Sequence, residues 1–127
     1  MRFRPLVGFG VAALALTGLA GCSESSSASG SAPFKVSGTP VPTDKVEMPK
    51  SYKFSPAVIE VKAGSTVTWT NHDDFAHNVT LASGTDKTSK HVPIGESASF
   101  SFAKADTIYY ECTLHPQQMR GKVIVKE

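Results

Sequence analysis

The stretch Thr107-Ile108-Tyr109-Tyr110-Glu111-Cys112 decides the fold of this chain, because Ile108, Tyr110 and Cys112 alternate with more polar neighbours. Such a period of two is typical of a half-buried β-strand, whereas a helix would repeat its apolar positions every 3.6 residues. Turn-forming residues separate this stretch from further alternating segments, and no helix of useful length is signalled near them. We therefore predict an all-β domain, an antiparallel sandwich or barrel. The other alternating segments are residues 57–62, 66–70, 97–102 and 122–126.

The loop after this strand contains three candidate metal ligands. Cys112, His115 and Met119 have the spacing C-x2-H-x3-M, so one tight turn can direct a thiolate, an imidazole and a thioether to one point. These groups are three of the four ligands of a blue-copper electron-transfer site. His77, at the start of a predicted strand, is well placed to be the fourth. Taken singly, the same residues are also compatible with an inert buried thiol, surface histidines and a core methionine.

Two other histidines compete for the role of His77. His72 lies in the polar turn 71–74 and His91 in a predicted loop, and both are most simply solvated side chains. Zinc accepts cysteine and histidine ligands too, so zinc binding in vitro stays open. Four protein ligands leave no open coordination position for a substrate, and the motif has no positioned acid or base, so it does not predict an enzyme.

The N-terminal region predicts export and a lipid anchor. Arg2 and Arg4 precede an uncharged apolar run over residues 6–20, which is short for a spanning helix of ~20 apolar residues. Leu19-Ala20-Gly21-Cys22 resembles the lipobox of bacterial lipoproteins. The resemblance implies a signal peptide over residues 1–21, lipid on Cys22, and an extracytoplasmic protein anchored to the cell membrane on its outer face or periplasmic side. An ordinary secretory signal is the alternative.

The cysteine count favours a metal role for Cys112. The chain has two cysteines, and outside the cell such a pair normally suggests a disulfide. Lipid on Cys22 leaves Cys112 without a partner. Because an unpaired thiol is a liability in an oxidising compartment, it needs a role such as metal ligation.

Length and composition suggest one domain behind a tether. The 127 residues suffice for a single domain. Residues 22–50 are rich in Ser, Ala, Gly and Pro, so we predict a flexible linker there and the domain over residues 51–127. The formal net charge of +2 falls to about zero once Arg2 and Arg4 leave with the signal, which gives no reason to expect a nucleic-acid partner.

Several segments together resemble the plastocyanin/amicyanin-like cupredoxins. They are residues 54–61, Gly64, 67–71 and 77–79 in the first half, and residues 109–115, Met119, Gly121 and 123–125 in the second. The resemblance implies a Greek-key antiparallel β-sandwich with one type 1 copper ion near one end. It assigns the copper to His77, Cys112 and His115, with Met119 as the axial ligand.

The same resemblance implies supporting roles around the copper. Asn78 would link its strand to the loop through Thr113 and present its backbone N–H to the Cys112 sulfur. The edge of His115 would be the electron port. A small apolar docking patch would surround that edge and include Leu114 and Pro116.

The implied protein is a monomeric one-electron carrier whose donor and acceptor are other redox proteins, for example a cytochrome, an oxidase or a dehydrogenase. A copper-trafficking or storage lipoprotein without a fast redox partner is the alternative, and a metal-free scaffold is a third.

One departure from the family concerns the axial ligand. Three residues, 116–118, separate His115 from Met119, where plastocyanin-like loops usually have four and amicyanin-like loops two. Gln117 or Gln118 could therefore supply an axial oxygen. The spacing from Met119 to the last strand favours the methionine.

Overall fold

The computed structural model describes residues 32–83 and 87–127. Within these ranges the chain forms strands and turns and no helix, so the all-β prediction is confirmed. No helix in the described part is long and apolar enough to cross a membrane. The predicted signal peptide, Cys22 and the first part of the predicted linker lie outside the described residues. The strands are β1 (Val41–Pro42), β2 (Lys45–Met48), β3 (Val58–Lys62), β4 (Ser65–Asn71), β5 (His77–Leu81), β6 (Ser89–Val92), β7 (Ser97–Phe102), β8 (Asp106–Glu111) and β9 (Arg120–Lys126).

The strands form two sheets of a sandwich. One sheet has the order β1-β3-β9-β8-β5-β6 and the other the order β2-β4-β7. The pairs β4–β7, β5–β6, β5–β8 and β8–β9 are antiparallel, whereas β1–β3, β3–β9 and β2–β4 are parallel. The pairing is therefore mixed and not purely antiparallel as predicted. The first strands cross between the sheets instead of forming hairpins, so their neighbours need not run in the opposite direction.

The period-two pattern buries one face of each central strand. In β4, Val67 and Trp69 are buried, while the threonines that alternate with them face outward. These threonines pair their hydroxyls with serines of β7, as in Thr68 with Ser99 at 2.9 Å. Trp69 meets Tyr110 of the opposite sheet edge-to-face, with ring centroids 5.1 Å apart. The alternation in the sequence thus separates a dry core from a hydroxyl-covered surface.

The domain begins earlier than the predicted start at residue 51. Strand β2 pairs with β4, and its side chains Val46 and Met48 are fully buried. Prolines in this region suggested an extended linker. Both β1 and β2 are edge strands of their sheets, where proline is tolerated because one side needs no backbone donor. The linker prediction is therefore wrong for these two strands.

Candidate metal centre

The β8–β9 loop presents its ligands through a compact set of turns. The Cys112 amide donates to the Met119 carbonyl at 3.0 Å, which joins the two ends of the loop. Within the loop, the amides of His115 and Met119 donate to the carbonyls of Cys112 and His115, at 3.1 and 3.0 Å. Pro116 adds stiffness, since a residue before proline is restricted in conformation. The loop is therefore held in place by its own backbone.

Three of the predicted ligands lie together. The Cys112 sulfur is 3.8 Å from Nδ1 of His77 and 4.0 Å from Nδ1 of His115. The ligand atoms of all three residues lie within 4.8 Å of one another. His77 and Cys112 are fully buried, and His115 is partly exposed.

This spacing fits a single metal ion. Thiolate and imidazole bind first-row ions at about 2.0–2.3 Å, so three such ligands around one ion lie about 3.5–4.0 Å apart. A soft thiolate with two imidazoles is a donor set that suits copper. The donor set and its spacing therefore match the predicted cofactor.

Met119 lies at the closing end of the same loop. Its side chain is fully buried and belongs to the same apolar cluster as Cys112. Gln117 and Gln118, the alternative axial ligands, are both exposed. Burial thus distinguishes the methionine from its two competitors.

Asn78 connects the His77 strand with the cysteine loop. Its backbone N–H points to the Cys112 sulfur at 3.4 Å. The side-chain Nδ2 of Asn78 donates to Thr113 Oγ1 at 2.8 Å, and its side-chain Oδ1 accepts from the Thr113 N–H at 3.0 Å. These bonds join the start of β5 to the first residues of the β8–β9 loop.

A buried carboxylate lies beside His77, in the segment 71–74 that the sequence predicted only as a polar turn. Asp73 is buried, and its Oδ2 lies 2.9 Å from Nε2 of His77. That pairing assigns the hydrogen to Nε2 and leaves Nδ1 facing Cys112. Burial raises the pKa of Asp73, but hydrogen bonds from His77 and from the amides of Asp74 and Tyr52 together hold it below the ordinary value.

The signal that could have revealed this carboxylate is local. The Asp73 amide donates to Asn71 Oδ1 at 2.9 Å, an Asx-type turn that needs Asn two residues earlier. Asn71 itself is fully buried, and its amide donates to the carbonyls of Phe75 and Val92. The side chains of Asn71 and Asp73 therefore face inward, while His72 between them is exposed.

The competing histidines lie away from the cluster. His72 is exposed and pairs with Glu47 at 2.5 Å. His91 is exposed as well, but it lies in strand β6 and not in a loop as predicted. Among the described His, Cys, Asp and Glu residues, the one group of three or more that is spaced to hold a metal is His77, Cys112 and His115.

Comparison with known proteins defines the class. Residues 43–126 match the copper binding proteins of the plastocyanin/azurin family. The chain therefore belongs to this family of cupredoxins, whose metal is copper.

Individual relatives are amicyanins and other cupredoxins. The chain is 36% identical over 86 residues to the amicyanin of Paracoccus denitrificans, covering 58% of this chain and 59% of that protein. It is 33% identical over 104 residues to the amicyanin of Paracoccus versutus, covering 72% of each. It thus spans less than two thirds of the first of these relatives.

Solved structures give the same picture. A purple cupredoxin from Nitrosopumilus maritimus superposes with a TM-score of 0.59 at 26% identity, covering 65% of this chain and 98% of that one. A mutant of amicyanin in its Cu(I) form superposes with a TM-score of 0.58 at 34% identity, covering 65% and 80%.

Proposed function

We propose that this protein is a blue-copper one-electron carrier, anchored by lipid on Cys22 at the extracytoplasmic side of a cell membrane. The observation that carries the proposal is the convergence of two imidazole Nδ1 atoms on the Cys112 sulfur. The anchor rests on the lipobox-like sequence at residues 19–22. The amicyanin relatives support the same class of function.

The protein residues would hold the metal and limit its movement. His77, Cys112 and His115 would bind it, and the buried Met119 would be the weak axial ligand. Copper bound there supplies one-electron chemistry, because such a ligand set tolerates both Cu(II) and Cu(I). The Asn78 N–H stabilises the thiolate, and Asp73 orients His77. Since sheet and loop hydrogen bonds fix the ligands, little has to move during electron transfer.

The surface near His115 suits docking of another redox protein. Phe75, Ile94 and Leu114 are exposed by 52, 59 and 56%. Asn71 ties two of these positions together, since it bonds to the Phe75 carbonyl and accepts from the Gly95 amide beside Ile94. Leu114 precedes His115 directly. An apolar patch around a partly exposed ligand would let a donor or acceptor approach the metal closely.

The first experiment is the optical and EPR spectrum of the copper-loaded full chain. We expect strong absorption near ~600 nm from copper–thiolate bonding. Cys112→Ser should abolish it, while Met119→Gln and Met119→Ala should keep a coloured but altered site. A colourless Cu(II) form of the wild type would refute the proposal.

Two further measurements test its finer parts. Rapid electron exchange with an electrode distinguishes a carrier from a copper-trafficking protein, which needs no such exchange. The mass of the N-terminal peptide from the expressing bacterium tests the anchor: a diacylated Cys22 is expected, and an unmodified Cys22 would contradict it.

A further inference from the structure

One aromatic side chain contacts both imidazoles of the candidate copper site. The Tyr52 ring centroid lies 4.3 Å from that of His115 and 6.0 Å from that of His77. On its other side, Tyr52 stacks on Phe75, with centroids 5.3 Å apart and planes inclined by 28°. Tyr52 therefore lies between an exposed aromatic ring and the two histidines.

The backbone that presents this ring is in an uncommon conformation. Ser51 and Tyr52 have φ values of 85° and 54°, in the left-handed region that non-glycine residues rarely adopt. Such strain persists only where surrounding contacts hold it, and it is often found at functional sites.

The contact that holds the strained segment leads back to the metal centre. The Tyr52 amide donates to the Asp73 carboxylate, which also accepts from Nε2 of His77. The main chain of Tyr52 is thus linked to His77 through Asp73, while its ring packs against His115. An alanine at position 52 could make the same backbone bond, so that bond does not explain why the side chain is aromatic.

We propose that Tyr52 is a positioning residue for His115: its ring holds the imidazole in place and keeps water from one of its faces. The proposal rests on the function proposed above. With one thiolate ligand, the oxidised site carries one positive charge more than the reduced site. Because an apolar cover penalises the more highly charged state, Tyr52 should favour Cu(I). It should also slow the escape of copper, since His115 is the ligand nearest to solvent.

The test uses three variants of the copper-loaded full chain. Tyr52→Gly removes the ring and suits the positive φ. Tyr52→Phe keeps the ring and removes the hydroxyl. Ser51→Gly places the same flexible residue one position earlier, where φ is also positive, and keeps the ring. Two quantities are measured: the Cu(II)/Cu(I) equilibrium against a redox mediator, and the rate at which bathocuproine removes copper from the reduced protein.

For Tyr52→Gly we expect at least a threefold shift of the equilibrium toward Cu(II), about 28 mV for one electron, and at least tenfold faster copper removal. Tyr52→Phe and Ser51→Gly should stay within twofold of the wild type in both measurements. If Tyr52→Gly does not fold, Tyr52→Asn replaces it under the same criteria, since Asn also tolerates the left-handed region.

Two results would overturn the proposal. The first is wild-type behaviour of the ring-deleted variant in both measurements. The second is an equal effect of Ser51→Gly, which would assign the effect to loop stiffness and not to the ring. Either result leaves the blue-copper function intact if the wild type is blue, whereas a colourless wild type refutes that function itself.

Discussion

Replacing Asn78 by alanine is the sharpest test of how the two halves of the site are joined. The Asn78 side chain takes part in three hydrogen bonds: it donates to Thr113 Oγ1 at 2.8 Å, accepts from the Thr113 amide at 3.0 Å and accepts from Thr80 Oγ1 at 2.9 Å. These bonds join the His77 strand to the loop that begins at Cys112.

The expected cost follows from these bonds. A net contribution of about 1 kcal/mol for each would total about 3 kcal/mol. Thr113 is exposed, so water can satisfy its two groups after truncation and recover part of that loss. We therefore expect Asn78→Ala to lower the free energy of unfolding of the copper-free protein by about 2 kcal/mol. The Asn78 N–H remains, so the copper form should stay blue.

Denaturant unfolding measures this loss, and a double-mutant cycle isolates its cause. Thr113→Ala removes only the hydroxyl partner, so Asn78→Ala and Thr113→Ala should show a coupling energy of about 0.5–1.5 kcal/mol. Thr68→Ala is the matched control, because it breaks a similar hydroxyl pair on the outer face of the other sheet, and its coupling with Asn78→Ala should be near zero. A loss below about 0.5 kcal/mol for Asn78→Ala would refute the view that this residue joins the strand to the loop.

Three further predictions concern the core and the buried carboxylate. Gly121→Ala should cost about 3 kcal/mol in chemical unfolding, since the new Cβ would overlap the Tyr110 ring and lie 2.7 Å from the Ala57 carbonyl oxygen; wild-type stability would contradict this. Burial raises the pKa of the Tyr110 phenol. The neutral phenol therefore contributes fully to stability below the unfolded pKa of about 10. That contribution is lost as pH rises above this value, by up to about 1.4 kcal/mol of unfolding free energy per pH unit. Between pH 9 and 11, Tyr110→Phe should therefore lose less free energy of unfolding than the wild type. Equal slopes of that free energy against pH in the two proteins would contradict the prediction. Asp73→Asn removes a negative charge 2.9 Å from His77, so voltammetry should show an equilibrium shifted toward Cu(I), and a shift toward Cu(II) would contradict it.

The central strands and the ligand loop could be predicted because their signals are local. The alternation in β4, β7, β8 and β9 follows directly from burial of one face. The cysteine and histidine of the β8–β9 loop are close in sequence, so a single turn brings them together. His77 required only the prediction that its strand begins at that residue, as β5 does.

The features that were missed depend on distant contacts. The edge strands β1 and β2 were assigned to a linker because proline is a weak guide where one side of a strand is unpaired. Strand β6 is mostly exposed, so it lacks the apolar alternation that marks a strand. The left-handed conformation of Tyr52 accompanies its packing against His77 and His115, which are distant in sequence. The inward turn at Asp73 did have a local signal, the Asx turn on Asn71.

Two of the three clustered ligands are positioned by the larger sheet. His77 begins β5 and Cys112 directly follows β8, and these two strands pair through Thr80 and Glu111. The Asn78 amide then faces the cysteine sulfur as a consequence of that register. An ion that binds to ligands held this way stabilises the folded domain by mass action. His115 differs, because it lies in a loop and is partly exposed. In the described part of the chain, the two non-glycine residues with positive φ are Ser51 and Tyr52, and the Tyr52 ring packs against this loop ligand.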